Sequence, residues 1–208
     1  MTTRLDRRKT ETRRKLLDAA RAMLAAGTAH QASIQEITDA ADVGFGSFYN
    51  HFPSKTELFG AAVEDVLEEI GGQLDELGSS LPDPAAAFAQ SVRLAGRLAR
   101  QRPQIAQVMV RHGVAYLDSE RGLAPRALRD ITAGIESGRF RVANPKLAMA
   151  TVAGSLLAAL HLSLTDPDFD EDAVYDQLAE QFLCMLGMPQ AEAHALVGTP
   201  LPVLTPER

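Results

Sequence analysis

The chain has 208 residues, of which 46% are hydrophobic and 5% aromatic, with one cysteine and a formal net charge of −6. The single cysteine, Cys184, excludes an intrachain disulfide framework and a zinc site built on cysteines, and it favours a reducing compartment. The charge is uneven, since the first fifteen residues hold seven Lys or Arg against two Asp or Glu. A basic edge on an acidic protein predicts a polyanionic partner that meets only that edge.

Apolar residues recur at intervals of three and four along nearly the whole chain, which is the period of an α-helix, and no run alternates as a strand does. The sequence therefore predicts an all-α protein of about nine helices. No apolar segment follows the N-terminal basic residues, so we expect no signal peptide and a cytoplasmic location.

The N-terminal part of the chain has the signals of one longer helix and one short helix. The longer helix covers about residues 10–26, and Gly27 is placed to end it. The short helix begins after Ser33, because Ser33 and Glu36 have the spacing of a capping box. The longer helix can support the shorter elements that follow it.

A tight turn and a third short helix come next. Residues 41–44 have the length of such a turn, the helix covers about residues 45–51, and Pro53 ends it. Two short helices joined by a tight turn are typical of the helix-turn-helix motif, whose second helix enters the major groove of DNA. Gly46 costs that helix about 1 kcal/mol relative to alanine, which is tolerated where a phosphate or a base comes close. The alternative is that Gly44 and Gly46 only loosen a turn.

The rest of the chain predicts longer helices. A fourth helix starts after Pro53 and extends to the glycines at 71–72 or 78. Five further helices are predicted at about residues 84–101, 103–113, 123–137, 145–165 and 171–187. The segment after Pro189 contains three more prolines, so we expect a loosely packed tail after a last short turn.

One stretch reaches the lower length limit for a membrane-spanning helix, because residues 147–164 carry no charge over eighteen positions. The stretch is rich in alanine, contains five polar or glycine residues, and is accompanied by no second span. We interpret it as a helix buried on nearly all sides in a protein interior, and we expect no membrane partner.

The most specific signal is a string of motifs over residues 33–59. It reads Ser33-Ile34-Gln35-Glu36-Ile37, Ala40-Ala41, Val43-Gly44, Gly46-Ser47-Phe48-Tyr49, His51-Phe52 and Lys55-Thr56-Glu57-Leu58-Phe59. This string resembles the DNA-binding domain of the TetR family of bacterial regulators, and residues 136–140, Glu-Ser-Gly-Arg-Phe, resemble the family's C-terminal region. The resemblance implies a three-helix helix-turn-helix DNA-binding domain at 1–54, a helical bundle for effector binding and dimerisation at 55–188, and a tail at 189–208.

The resemblance also implies a set of DNA-contacting residues. They are Ser33, Gln35, Gly44, Phe45, Gly46, Ser47, Tyr49, Asn50, His51 and Lys55. Phosphates would be met by Ser33 at the start of the second helix, by Tyr49 and His51, and by Lys55 at the start of the fourth. The basic arm of Arg4, Arg7, Arg8, Arg13 and Arg14 either adds phosphate or minor-groove contacts or is only solvated.

Base reading falls, by the same resemblance, to Phe45, Ser47 and Asn50, with Gln35 assisting from the second helix. Asn50 can pair with adenine through two hydrogen bonds, and Phe45 suits the methyl group of thymine. Phe45 departs from the polar residues often found at this position in the family. The operator sequence therefore stays open.

A homodimer is expected because one reading head covers only a few base pairs, and half-sites of a two-fold operator lie about 34–36 Å apart. The predicted dimer surface is the helices at 145–165 and 171–187. Ala150, Gly154 and Ala158 repeat every four residues in the first and let another helix approach closely. The second has an apolar series, namely Val174, Leu178, Phe182 and Met185. The alternative is that both helices only form the core of the monomer.

Members of the family commonly sense a small molecule in a cavity among the middle helices. The candidate lining residues are Phe88, Val92, Met109, His112, Tyr116 and His161. The two histidines would be polar groups in mostly apolar surroundings. For each histidine the alternative is an ordinary core residue with satisfied hydrogen bonds.

The sequence thus predicts a ligand-responsive transcriptional regulator, a repressor that binds palindromic operator DNA and is released by a small-molecule effector. The alternatives are a helical adaptor that recognises a protein and a helical-bundle enzyme that does not bind DNA. The chain has no Glu-x-x-His pair, glycine-rich phosphate loop, nucleophile elbow or zinc signature. We therefore expect no catalysis, no metal and no cofactor.

Overall fold

The structure is a computed structural model that describes residues 4–166, 168, 169 and 171–202, apart from the side chains of Arg4, Leu5, Ala99, Arg100, Gln104, His112 and Glu171. Its helices are α1 (Arg4–Ala25), α2 (Ile34–Ala40), α3 (Phe45–Phe48), α4 (Lys55–Gly78), α5 (Pro84–Gln101), α6 (Pro103–His112), α7 (Leu123–Glu136), α8 (Pro145–Thr165), α9 (Glu171–Met185) and α10 (Gln190–Val197). A 3₁₀ helix, Gly113–Asp118, follows α6. Every regular element in the described residues is helical, so the predicted all-α class is confirmed.

The chain divides into two compact units, Met1–Val66 and Leu67–Arg208. The division lies inside α4, whereas the sequence places the first boundary at residue 54. A continuous helix can cross such a division because its backbone hydrogen bonds are internal and need no partner from either unit.

The first unit is built around the buried side of α1. Leu16, Ala20 and Leu24 lie four residues apart and are buried, as are Ile37 of α2 and Phe48 of α3. α1 begins at Arg4, six residues before the predicted start, so the basic arm is the first part of a helix.

The core of the second unit contains an aromatic pair that depends on two glycines. Gly138 has a φ of 76°, which lets the chain turn back after α7, and the Phe140 N–H then donates to the Gly134 carbonyl at 2.9 Å. The Phe140 ring lies over Gly134, where a β-carbon would come within 2.1 Å of it. On its other side the ring meets Phe88 edge to face, with centroids 5.7 Å apart.

The predicted loose tail is wrong for residues 190–197, which form α10. Pro189 supplies the N-cap, and its fixed φ suits the start of a helix. Ala193 and Val197 are then buried, and α10 packs against α5 and α9. Two small apolar side chains at helical spacing are enough to pack this helix against its neighbours.

The interpretation of the uncharged helix as buried on nearly all sides is also wrong for this chain. α8 is long and apolar enough to cross a membrane, but only 28% of its most hydrophobic 18-residue window is buried. Leu147 is 64% exposed, and Gly154, Ala158 and His161 are exposed on the same side. We call the exposed set the α8 face: Leu147, Thr151, Gly154, Ala158, His161 and Thr165.

Candidate nucleic-acid interface and charged cluster

The start of α2 has the predicted capping box. The Glu36 N–H donates to Ser33 Oγ at 3.2 Å, and the Ser33 N–H and hydroxyl both donate to Glu36 Oε2 at 2.7 Å. The backbone N–H and the hydroxyl of Ser33 lower the pKa of Glu36, so the carboxyl is ionised at neutral pH. The groups of Ser33 that were expected to meet a phosphate are therefore bonded to Glu36.

The turn between α2 and α3 is as tight as predicted. Asp42 has a φ of 51°, a left-handed conformation that aspartate tolerates better than most side chains. The Val43 N–H donates to the Thr38 carbonyl at 3.0 Å, and Lys15 of α1 pairs with the Asp42 carboxylate at 3.3 Å. These contacts tie the turn to α1 and α2.

The α3 helix presents the side chains that the sequence assigns to DNA. Phe48 and Phe52 are buried as predicted, whereas Phe45 is 47% and Tyr49 55% exposed. Asn50 is also exposed. α3 itself is only four residues long and continues as turns, although the sequence predicts a helix to residue 51. We call Phe45, Tyr49 and Asn50 the reading surface.

Three further residues of the predicted set are at least partly exposed. Ser47 is partly exposed, and the exposed Gln35 of α2 donates from Nε2 to Asp39 Oδ1 at 2.7 Å. A β-carbon on Gly46 would meet no atom within 4 Å. Packing within the described residues therefore does not require a glycine at position 46.

His51 lies where the reading surface meets the basic residues of α1. Burial and the positive charges of Lys9 and Arg13 lower the pKa of its imidazole, so the ring is neutral at pH 7. The Arg13 guanidinium lies 4.9 Å from the centroid of the Phe52 ring. Positive side chains of α1 thus lie close to the segment that follows α3. The side chain of Arg4, also assigned to the basic arm, is outside the described residues.

Lys55 has partners that the sequence does not indicate. Its ammonium donates to the Ala32 carbonyl at 2.8 Å and to the His30 carbonyl at 3.2 Å. Two of its three protons are used to hold the segment before α2, so a phosphate would be met by the third. No local spacing indicates this contact, because the partners are more than twenty positions apart in the sequence.

The predicted effector residues differ in burial. Phe88 and Val92 are buried in the core of the second unit, Met109 and Tyr116 are half-buried, and His161 is exposed on the α8 face. The side chain of His112 is outside the described residues. Among the described side chains no group of three His, Cys, Asp or Glu is placed to hold a metal ion.

A charged cluster joins α4 to α7 in the second unit, and sequence analysis missed it. We define the α4–α7 cluster as Glu68 and Asp75 of α4 with Arg126, Arg129 and Asp130 of α7. Arg126 donates to both Glu68 oxygens at 2.8 Å and to Asp75 at 2.8 Å, and Arg129 donates to Asp75 at 2.6 Å and to Asp130 at 2.7 Å. The three α7 residues follow the i, i+3, i+4 spacing of one helix face, but nothing local in the sequence pairs them with α4.

Two glycines make room for this cluster. A β-carbon on Gly71 would lie 2.7–2.8 Å from the Arg126 side chain, so the guanidinium occupies the space that a side chain would fill. Gly122 has a φ of 83°, its N–H donates to Glu68 at 2.7 Å, and its carbonyl accepts from Arg126 at 2.7 Å. Both glycines are therefore part of the way in which the ions are held.

The carboxyl groups of the cluster have pKa values shifted in opposite directions. Hydrogen bonds from Arg126 and from the Gly122 N–H lower the pKa of Glu68 to about 2. Burial raises the pKa of Asp75, but hydrogen bonds from Arg129 and Arg126 outweigh burial, and the result is a lowered pKa. Burial raises the pKa of Asp130 above its ordinary value. The cluster thus offers guanidinium donors and a carboxyl group that binds a proton more readily than its neighbours.

Two family descriptions match the chain. "Bacterial regulatory proteins, tetR family" matches residues 16–62, and "Tetracyclin repressor-like, C-terminal domain" matches residues 83–198. Among curated proteins, the transcriptional repressor KstR of Mycolicibacterium smegmatis is 27% identical over 101 residues, which are 49% of this chain and 50% of KstR. KstR of Mycobacterium tuberculosis is 27% identical over 49% of this chain and 46% of its own. The chain spans about half the length of these curated relatives.

The similarity to solved structures extends over nearly the whole chain. RolR without ligand is 34% identical, with a TM-score of 0.79 over 92% of this chain and 99% of RolR. RolR in complex with resorcinol is 32% identical, with a TM-score of 0.76 over 96% of this chain and 99% of RolR. SmeT, the repressor of a Stenotrophomonas maltophilia efflux pump, has a TM-score of 0.64 over 92% of this chain and 100% of its own at 20% identity, so it shows the fold alone.

Proposed function

The chain belongs to the TetR family of bacterial regulatory proteins, whose members are transcription factors and not enzymes, and we propose that it is a ligand-responsive repressor of transcription. The observation that carries the proposal is the reading surface. Phe45 projects from α3 and Tyr49 and Asn50 from the turn that follows it, Phe48 on the inner side is buried, and Lys9 and Arg13 lie close to His51 at the end of this segment. Exposed hydrogen-bonding and apolar side chains beside positive charge suit the major groove and its phosphates.

We assign residues 1–54 to operator binding and residues 55–188 to effector binding and dimerisation. Within the first part, Tyr49, His51 and the third proton of Lys55 would meet phosphates. Phe45, Ser47 and Asn50 would face bases. The groups at Ser33 would reach a phosphate only by giving up their bonds to Glu36.

We propose that two copies pair through the α8 face, with α9 beside it. The exposed small residues Gly154 and Ala158 let a second helix approach closely, and exposed Leu147 and Met185 add apolar area. Pairing would cover the exposed apolar side of α8 without a membrane. Of the α9 residues predicted for this surface, Phe182 is buried in the core and only Met185 is strongly exposed.

The effector would be a small aromatic compound with hydroxyl groups, and its polar contacts would come from the α4–α7 cluster. The structure of RolR with resorcinol supports this chemical class. Phenolic hydroxyls donate to carboxylates and accept from guanidinium groups, and the cluster offers both. The buried Nε2 of Gln90, which has no partner among the described residues, is a further donor in the second unit.

In this mechanism the effector competes for hydrogen bonds that now join α4 to α7. α4 is the helix that begins at Lys55, directly after the reading surface and its following turn. A change in the bonds of Glu68 and Asp75 would therefore act on the helix that continues into the DNA-binding part of the chain. Effector binding would favour a state with lower operator affinity.

The test is binding of the full chain to a DNA library, followed by anisotropy titrations of selected and scrambled duplexes at several salt concentrations. Repressor binding should select one sequence, weaken steeply with salt, and weaken again on addition of resorcinol. Arg129→Ala should abolish the resorcinol effect and, because it removes a bond that joins α4 to α7, should itself lower operator affinity. Arg111→Ala, at an exposed arginine of α6, is the matched control and should change neither.

An adaptor that recognises a protein would give a different result in the same titrations. It would select no sequence and would bind scrambled and enriched duplexes equally. That outcome would remove the proposed function, whereas selective binding without a resorcinol effect would remove only the effector assignment.

A further inference from the structure

Phe45 stands out on the reading surface because about half of this aromatic residue is exposed. It is 47% exposed, although phenylalanine is usually buried. It lies between Gly44 and Gly46; a β-carbon on Gly46 would meet nothing within 4 Å, and one on Gly44 would meet only Ser47 Oγ, at 3.8 Å. The ring therefore projects between two residues that have no side chain.

The exposed ring also has an aromatic contact that favours one orientation. It meets Tyr49 edge to face with centroids 6.1 Å apart, and Tyr49 in turn meets the buried Phe48 edge to face at 5.3 Å. Contact with a partner would thus order the Phe45 ring at little cost in side-chain entropy. A preformed apolar projection is a feature of recognition sites.

The surroundings of the ring indicate what it meets. Asn50 and Ser47 offer hydrogen bonds, and Lys9 and Arg13 lie near His51 at the end of the same short helix. An apolar ring among such groups fits a polyanion that has an isolated apolar group at its edge. In the major groove of DNA that group is the 5-methyl of thymine.

We propose that Phe45 is a specificity-determining residue that reads the 5-methyl group of one thymine in each operator half-site. The proposal rests on the proposed function and goes further by assigning to this side chain the recognition of one thymine methyl group in each half-site. The bare backbone at Gly46 lets the groove approach closely enough for the ring to cover the methyl group. Asn50 and Ser47 would read neighbouring bases by hydrogen bonds.

The experiment uses the full chain and the duplex selected from the DNA library. Each thymine is replaced in turn by deoxyuridine, which removes only the methyl group. For the unaltered protein, one position per half-site should lose about fourfold in affinity, as expected for removing one buried methyl-sized group. Replacing both symmetry-related positions should cost about sixteenfold.

Phe45→Ala is the decisive variant, and it should bind the thymine and deoxyuridine duplexes with equal affinity. Phe45→Leu, which keeps an apolar side chain, should retain part of the discrimination if the alanine variant binds DNA too weakly to measure. Asn50→Ala is the matched control, and it should keep the full penalty for deoxyuridine.

Two results would overturn the proposal. One is an unaltered protein whose affinity changes at no deoxyuridine position, and the other is Phe45→Ala with the same penalty as the unaltered protein. Both results can be obtained only after the library has yielded a preferred DNA sequence. They therefore differ from failure of the proposed function, in which the protein prefers no duplex.

Discussion

Two joints between helices of the second unit have the same ionic plan and different surroundings. At the α5–α9 joint, Asp176 accepts from Arg93 at 2.8 Å and from Arg97 at 2.9 Å. Arg93 is only 6% exposed and also donates to the Thr199 carbonyl. Beside these ions a β-carbon on Gly96 would lie 2.2 Å from the buried Tyr175 ring, so the two helices interlock.

At the α4–α7 joint, Asp75 likewise accepts from two arginines, Arg126 and Arg129. The glycine of this joint, Gly71, faces the Arg126 guanidinium instead of an aromatic ring. The Arg129 side chain is 56% exposed, and the cluster meets water. An interlocked joint excludes water and loses much if its contacts change, whereas an accessible polar joint can exchange hydrogen bonds with a ligand. The comparison therefore supports α4–α7 as the joint of the proposed effector switch.

The largest expected effect comes from removing the aspartate of each joint. Asp176→Ala leaves the buried Arg93 without its carboxylate and should lower the free energy of unfolding by about 3 kcal/mol. Asp75→Ala is the matched change, because its side chain is 34% exposed against 33% for Asp176, and it should cost only about 1 kcal/mol. Chemical denaturation of both variants gives the difference, and equal losses would contradict the comparison.

A smaller loss is expected when the interlock itself is disturbed. Gly96→Ala places a β-carbon against the Tyr175 ring and should cost about 2 kcal/mol, or about 4–8 °C in Tm. Gly72→Ala is the control, since a β-carbon there would meet nothing within 4 Å, and it should leave stability unchanged or slightly raised. Thermal unfolding of the two alanine variants is the measurement, and a Gly96→Ala protein as stable as the control would show that no interlock exists.

The ionic character of the α4–α7 joint should appear in the pH dependence of stability. The pKa of Glu68 falls to about 2 in the folded chain, so its contribution is present above its ordinary pKa of 4.5 and is lost as pH falls toward 2. The difference in stability between the unaltered protein and Glu68→Gln should therefore shrink over that range. Glu76→Gln, at an exposed carboxylate of the same helix, is the control in denaturation series from pH 7 to 2.5. A difference that does not depend on pH would argue against an ionised Glu68 in the joint.

The smallest effect on the stability of each folded chain is expected at the α8 face, which belongs to neither joint. Ala158→Arg puts a charge on an exposed position and should separate the proposed dimer while leaving helix content unchanged. Sedimentation velocity would show monomers of Ala158→Arg, with Ala195→Arg on the exposed side of α10 remaining dimeric. A dimer that withstands Ala158→Arg would move the interface elsewhere.

What the sequence predicts well depends on spacings of three or four residues. The capping box at Ser33 and the inward positions of Phe48 and Phe52 are local, and the structure has them where expected. The partners of Lys55 and the α4–α7 cluster were missed because their members are separated by 23 to 58 positions. Only the folded chain brings them together.

The uncharged helix was misread for a different reason. An apolar composition indicates that a helix packs against other apolar groups. It does not indicate whether those groups belong to the same chain or to another one. Leu147 and Ala158 of α8 are as apolar as core residues and are nevertheless exposed here. The α10 helix shows the opposite error. The prolines near it predict a loosely packed tail, but two of its small apolar side chains are buried and hold it against the second unit.

Mutations at Gly122 should have an unusual effect on the α4–α7 joint. Its φ of 83° and its bonds to Glu68 and Arg126 suit glycine, and a β-carbon would lie 3.2 Å from Leu67. Every missense change of this codon adds a β-carbon, whichever amino acid results. On the proposed mechanism, a selection for alleles that no longer repress should therefore return this one codon repeatedly, with unrelated replacements giving the same phenotype.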